Sequence, residues 1–221
     1  DVDMYLKRWT STPEGLRFVP MMHGRELREM HVRLWGDVNA QNVLACLSAI
    51  ESFGLSEEDL AHGFATFDGV KRRLEVLGEP GGITVIDDFG HHPTAVSMTI
   101  KAARTRFPSR RLWAIFEPRS ATNRRNIHHQ EYVAAFGEAD AVVIGSHHRL
   151  GEVPVENRFD PAALAEDLRQ RGVPARAIDD ATGIADHVVA HSRTGDVVVV
   201  FSNGDFGGLH ATLLDRLKRH A

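Results

Sequence analysis

The chain has 221 residues, 43% of them apolar and 25% charged, with a formal net charge of −4. That length can bury the core of one large domain or of two, and the slightly acidic balance excludes a general attraction for nucleic acid or anionic lipid, so any basic site must be local. With Cys46 as the one cysteine an intramolecular disulfide is excluded, and no apolar run approaches the ~18 residues at which a membrane span becomes plausible. A reducing, cytoplasmic setting is therefore expected, without a membrane or nucleic-acid partner. The opening DVDMYLKRWT has no initiator Met and starts inside a predicted strand, so the chain reads as a piece of something longer.

In chain order, Tyr5 to Thr10, Leu16 to Pro20 and His31 to Leu34 have the pattern of short antiparallel strands. Val43, Leu47 and Ile50 stripe a helix predicted from Asn39 to Phe53, which Gly54 ends. Cys46 reads as a small buried hydrophobe on that helix. Ser56 with Asp59 forms a capping box for a second helix. From about Val70 onward, strands and helices alternate. Strands are predicted at Ile83 to Asp87, Arg111 to Phe116, Asp140 to Gly145, Pro174 to Ile178 and Asp196 to Phe201, with Val and Ile on consecutive positions as both-face burial requires. Helices are predicted at Pro93 to Arg106, His128 to Glu138, Pro161 to Arg171, Asp180 to His191 and Gly208 to His220, with Asp160 capping the third of these. The fold class is thus α/β, a mostly parallel, doubly wound, Rossmann-like sheet preceded by a small α+β part.

Such a sheet binds ligands at the C-terminal edge of its strands, where residues 87 to 92, 117 to 125 and 202 to 208 emerge. Asp87 and Asp88 close the first parallel strand. Neighbouring strand residues point to opposite faces, so one acid is expected to serve a ligand and the other the structure. Arg72 and Arg73 are candidates for an anionic ligand or for solvent, and Arg119, directly after a strand and a proline, is the strongest arginine of its segment. Ser202 to Gly208 has the setting of a glycine-rich anion cradle but lacks G-x-G-x-x-G, and tight turns explain its glycines as well. Thirteen histidines include the pairs His91-His92, His128-His129 and His147-His148, yet adjacent residues rarely give a tetrahedral metal two ligands, so no metal site is expected. His91 reads instead as a donor to a phosphate oxygen. No G-x-x-x-x-G-K-[ST] occurs, so the usual triphosphate cradle and its lysine are not in this sequence.

Four motifs stand in order: GVKRRLE at 69–75, DDFGHHPTA at 87–95, FEPRSATNRRN at 116–126 and SNGDFGGLH at 202–210. Together they resemble the C-terminal part of the Mur ligases, over about residues 24 to 213, and most closely the murein-recycling branch of that family. The L-alanine-adding branch has a QPHR-type motif where EPRS stands here.

The resemblance implies that residues 1–68 are the C-terminal remnant of a central ATP-binding domain and that 69–221 are the acceptor-binding, Rossmann-like domain. It implies an ATP site drawing on Asn39 and Asn42 near adenine, Asp88 at the ribose, and Arg73 and His91 at the phosphates as the catalytic pair. In Gly36 to Asn42, Val38 stands where the family has histidine. The acceptor site would comprise Arg119, Ser120, Thr122, Arg125 and, toward the distal end of the peptide, Asn203. The implied reaction joins L-alanyl-γ-D-glutamyl-meso-diaminopimelate to UDP-N-acetylmuramate through an acyl phosphate. It uses ATP and Mg²⁺, with the P-loop and the Mg²⁺ ligands in missing upstream domains, so this chain is expected to be inactive alone. An L-alanine ligase fragment and a non-catalytic peptide-binding module are the alternatives.

Overall fold

The computed structural model describes residues 3–146 and 153–220, so the His147-His148 pair lies outside the described residues. Two compact units are present: Asp1–Val70 with Lys101–Pro108, and Lys71–Ile100 with Ser109–Ala221.

In the first unit, β1 (Met4–Thr12) and β2 (Gly15–Met22) form an antiparallel hairpin, and β3 (Arg25–Glu26) and β4 (Met30–Val32) both pair with β2. Two helices, α1 (Asp37–Ile50) and α2 (Glu57–Thr66), cover this sheet, closing a core of Leu16, Phe18, Met30, Val32, Val43, Leu47 and Leu60. The expected capping box is formed: Ser56 Oγ accepts the Asp59 N–H while the Asp59 carboxylate accepts the Ser56 N–H. Gly54 closes the turn after α1 in the left-handed region, at φ 65°.

Cys46 corrects the sequence reading, for it is exposed. Ala40, Val43 and Leu47 are the buried positions of α1, and at roughly 100° per residue Cys46 falls about a quarter-turn from the centre of their stripe.

The second unit is a six-stranded sheet in the order β5-β6-β10-β7-β8-β9. Its parallel strands are β6 (Thr84–Asp88), β7 (Leu112–Phe116), β8 (Ala141–Gly145), β9 (Ala175–Ile178) and β10 (Val197–Phe201). All residues of β6, β7, β8 and β10 are buried, which accounts for the unbroken apolar runs of β7, β8 and β10, while β6 ends in the buried acids Asp87 and Asp88. The edge strand β5 (Glu75–Gly78), which the sequence pattern did not reveal, runs antiparallel to β6; it has four half-buried residues and a bulge between Val76 and Gly78.

Five helices belong to the alternating part: α3 (Pro93–Arg106), α4 (His129–Phe136), α5 (Pro161–Gln170), α6 (Ala181–His191) and α7 (Leu209–Arg219). Ile184, Val188, Leu209, Leu213 and Leu217 of α6 and α7 pack on Val85, Ile115, Val143 and Val200. On the opposite face Phe116 meets Tyr132, Phe136 and Phe159, with ring centroids 4.9, 5.3 and 6.4 Å away. Since β10 is inserted between β6 and β7, with Phe201 level with both Asp88 and Phe116, the segments leaving these three strands emerge side by side. An open sheet offers its ligand crevice at such a reversal of strand order.

Candidate functional site

Asp88 ends β6 with its side chain turned inward. One oxygen, Oδ1, accepts the Gly90 N–H at 2.7 Å and the Thr99 hydroxyl at 3.2 Å, and Oδ2 accepts the Leu74 N–H at 2.9 Å. Burial pushes the carboxyl up, against those hydrogen bonds and the charge of Arg73, which pull it down. A Cβ on Gly90 would lie 2.6 Å from Asp88 Oδ1, so the turn requires glycine there. Asp87 is also paired: Oδ2 accepts from Arg72 Nε at 3.0 Å and Oδ1 faces His210 Nε2 at 3.2 Å. Burial raises the Asp87 carboxyl, but His210 and Arg72 together outweigh it and hold the group below the ordinary range.

The adjacent arginines of the first motif part company. Arg72 is half-buried and donates through Nη2 to the carbonyls of Ser202 and Gly204, at 2.6 and 3.0 Å. Arg73 is exposed, with its guanidinium carbon 5.6 Å from the centre of the Phe89 ring. Phe89 in turn meets the His91 ring edge-on at 5.6 Å. His91 Nδ1 lies 3.1 Å from the Phe89 carbonyl oxygen, which can only accept, so Nδ1 carries a proton. Nε2 is then an acceptor in neutral imidazole and a donor to phosphate only in the cation.

Arg119, Ser120, Thr122 and Arg125 occupy the segment after β7. Arg119 is one-third exposed, and its Nη1 is 3.5 Å from Glu117 Oε1, its one ionic partner among the described residues. Ser120 Oγ lies 3.3 Å from Thr122 Oγ1 and accepts the Asn123 N–H at 3.2 Å. Thr122 and Arg125 are exposed, and Arg125 forms a backbone bridge with Arg158. Asn203, after β10, has a buried amide oxygen without a hydrogen-bond partner.

A buried pair ties the two segments together. Asn123 Nδ2 donates to the His91 carbonyl at 2.8 Å, and the Tyr132 hydroxyl lies 2.5 Å from that carbonyl and 2.9 Å from Asn123 Oδ1. Sequence reasoning singled out neither residue for such a task; the available signal was the place of Asn123 within the FEPRSATNRRN motif. The glycine-rich segment after β10 is not an open cradle, because the Asp205 carboxylate accepts the Gly208 N–H ahead of α7 and the Gly204 N–H is taken by Ser202 Oγ.

In the first unit, Asn39 and Asn42 begin α1. Asn39 Nδ2 donates to the Trp35 carbonyl at 2.7 Å, and its Oδ1 accepts from Asn42 Nδ2 at 3.0 Å. No cluster of three or more potential metal ligands occurs among the described residues.

Residues 72–204 match the family model for the Mur ligase, glutamate ligase domain. The chain belongs to the Mur ligase family. A Mur ligase of Haemophilus influenzae, the UDP-N-acetylmuramate–L-alanyl-γ-D-glutamyl-meso-2,6-diaminoheptandioate ligase, is 34% identical over 208 residues, covering 94% of this chain and 44% of the relative. The UDP-N-acetylmuramate–L-alanine ligase of Geobacter sulfurreducens is 33% identical, covering 85% of this chain and 40% of the relative. Among solved Mur ligases, a murein peptide ligase from Psychrobacter arcticus superposes with a TM-score of 0.70 at 26% identity, over 99% of this chain and 45% of that one. The chain thus spans less than half the length of these Mur ligases, and the family match begins at Arg72, at the head of the strand-end network.

Proposed function

We propose that this chain is the C-terminal part of an ATP-dependent ligase that joins L-alanyl-γ-D-glutamyl-meso-diaminopimelate to UDP-N-acetylmuramate in cytoplasmic cell-wall recycling. In this reading residues 1–68 end the central ATP-binding domain and 69–221 bind the acceptor. One observation carries it: within the family's domain, a one-third-exposed Arg119 has a single carboxylate partner among the described residues, and its guanidinium lies against Gly204, the residue after Asn203, whose buried amide oxygen has no partner. A guanidinium with free N–H groups suits the carboxylates of the tripeptide, and Asn203 suits a donor at its far end.

The lactyl carboxylate of UDP-N-acetylmuramate attacks the γ-phosphorus of ATP, giving an acyl phosphate and ADP. The tripeptide amine then attacks the acyl carbon, loses a proton, and expels phosphate from the tetrahedral adduct. Within this chain Arg73 and the His91 cation would neutralise phosphate oxygens, while Arg119, Ser120, Thr122 and Arg125 would orient the peptide so that its amine meets the carbonyl. Asn39 and Asn42 are proposed for adenine. Asp88 is the ribose candidate only through any remaining lone pair, since both its oxygens already accept internal donors. Mg²⁺ supplies charge neutralisation to reactions of this kind. Asp87 and Asp88 do not fit it, being spent on Arg72, His210 and internal donors, so no magnesium step is assigned to these residues.

Calorimetric titration of the 221-residue chain with the tripeptide and with free L-alanine tests the reading. Selective tripeptide binding is expected. The second reading, an L-alanine ligase, is favoured by the 33% identity to the Geobacter sulfurreducens enzyme, and preferential binding of L-alanine would establish it in place of the first.

A further inference from the structure

The geometry points to a clamp, built by Glu117, Ser202, Gly204 and Arg72, that fixes the guanidinium of Arg119. Its meaning for acceptor binding rests on the reading above, but the clamp itself does not.

Ser202 is fully buried, and its hydroxyl stands 2.5 Å from Glu117 Oε2 while accepting the Gly204 N–H at 3.0 Å. A carboxylate only accepts, so the serine proton points at Glu117 and one oxygen of that buried acid is pinned. The other oxygen faces Arg119 Nη1 at 3.5 Å. Gly204 closes the opposite side: a Cβ there would lie 2.3, 2.4 and 2.5 Å from Nη1, Cζ and Nε of Arg119. The guanidinium therefore lies directly against the glycine.

Gly204 is not among the residues with positive φ, so its own backbone does not demand glycine; the Arg119 guanidinium occupies the space that a side chain there would take. Arg72, anchored on Asp87, holds the floor of the clamp by donating to the carbonyls of Ser202 and Gly204. The last motif thus carries a glycine for close approach of a side chain, instead of an anion cradle. Arg72, Glu117, Ser202 and Gly204 are positioning residues that present the remaining N–H groups of Arg119 outward.

The decisive variant is Gly204→Ala, because the added methyl meets the flexible end of a side chain and the backbone is undisturbed. Glu117→Gln is the second variant; it keeps an acceptor for Ser202 but removes the charge opposite Arg119. The direct readout is the Nε–H NMR signal of Arg119 in the ligand-free chain, assigned by its disappearance in Arg119→Lys. The expected result is a shifted and broadened Arg119 signal in both variants, with the backbone amides of β6, β7 and β10 unchanged. A signal that superposes on the wild type in both would overturn the clamp. Tripeptide titration gives the second readout: both variants should weaken binding by roughly 10- to 100-fold, the effect also expected of Arg119→Ala, through loss of one charge-assisted contact. If Arg119→Ala binds like the wild type, the acceptor reading fails, and the ligand-free spectra still decide the clamp.

Discussion

Tyr132→Phe isolates the tie between the turn after β6 and the segment after β7. The ring is retained against Phe116, Phe136 and Phe159, at 4.9, 5.9 and 5.9 Å, so the change removes a single oxygen from a buried position. Burial holds the phenol well above its ordinary range, so the hydroxyl remains a donor at any pH at which the protein folds. Without it the His91 carbonyl still accepts from Asn123, while the one proton that the hydroxyl shares between that carbonyl and Asn123 Oδ1 is lost, which leaves Oδ1 without a donor. One net hydrogen bond and one stranded acceptor together correspond to about 2 kcal/mol. For a chain of this size that lowers the midpoint of thermal unfolding by about 4–8 °C. The second unit is best followed alone, through the indole N–H signal of Trp113, which is buried and donates to Asp196 at 2.9 Å. An unchanged midpoint on that signal would mean that the hydroxyl contributes nothing to the His91 turn, and the tie would be reduced to Asn123.

Arg119→Ala should weaken tripeptide binding by roughly 10- to 100-fold, whereas Arg171→Ala, at the end of α5, should leave it unchanged; equal effects in calorimetry would remove Arg119 from the site. The exposed Cys46 thiol should react with an aromatic disulfide reagent in the native state as fast as in denaturant, and native protection would contradict its place on α1. The two acids ending β6 should respond to pH with opposite signs, measured as the stability of wild type relative to Asp87→Asn and to Asp88→Asn. Asp87 is lowered in the fold, so its contribution is present above the unfolded value near ~3.9 and fades as pH falls through the folded one. Asp88 is raised, so its contribution is fully present below the unfolded value and is lost as pH rises through the folded one; parallel pH profiles for the two variants would refute this.

What the sequence makes legible here follows from the range of the forces involved. Val197 to Phe201 declares a strand covered on both faces because every one of its residues is apolar, and Ser56 with Asp59 declares a helix start because both partners lie within one turn. β5 stays hidden since four residues with a bulge give no period, and Cys46 misleads because one position along a helix changes the face. Arg72 and Arg73 are the sharper case. They are adjacent and chemically identical, yet one is spent on carbonyls as far as 132 residues downstream and the other is left over the Phe89 ring. Nothing local could divide them.

The same holds for the site as a whole. Its motifs are visible because each follows a strand, but β10 is the last strand in the chain and sits between the first two parallel ones, so the three segments meet only through long-range pairing. Each segment spends part of its polar side chains holding the others: Arg72 holds the turn of Gly204, Ser202 holds Glu117, and Asn123 holds His91. The residues left facing outward, Arg73, Arg119 and the exposed Thr122 and Arg125, are then defined by subtraction. In a segment that reads equally well as an anion cradle or a tight turn, Gly204 sits in a turn with a guanidinium from the neighbouring strand end lying against it. Substituting such holding residues should therefore disturb ligand affinity with little change in the sheet, whereas substituting the apolar strand positions should do the reverse.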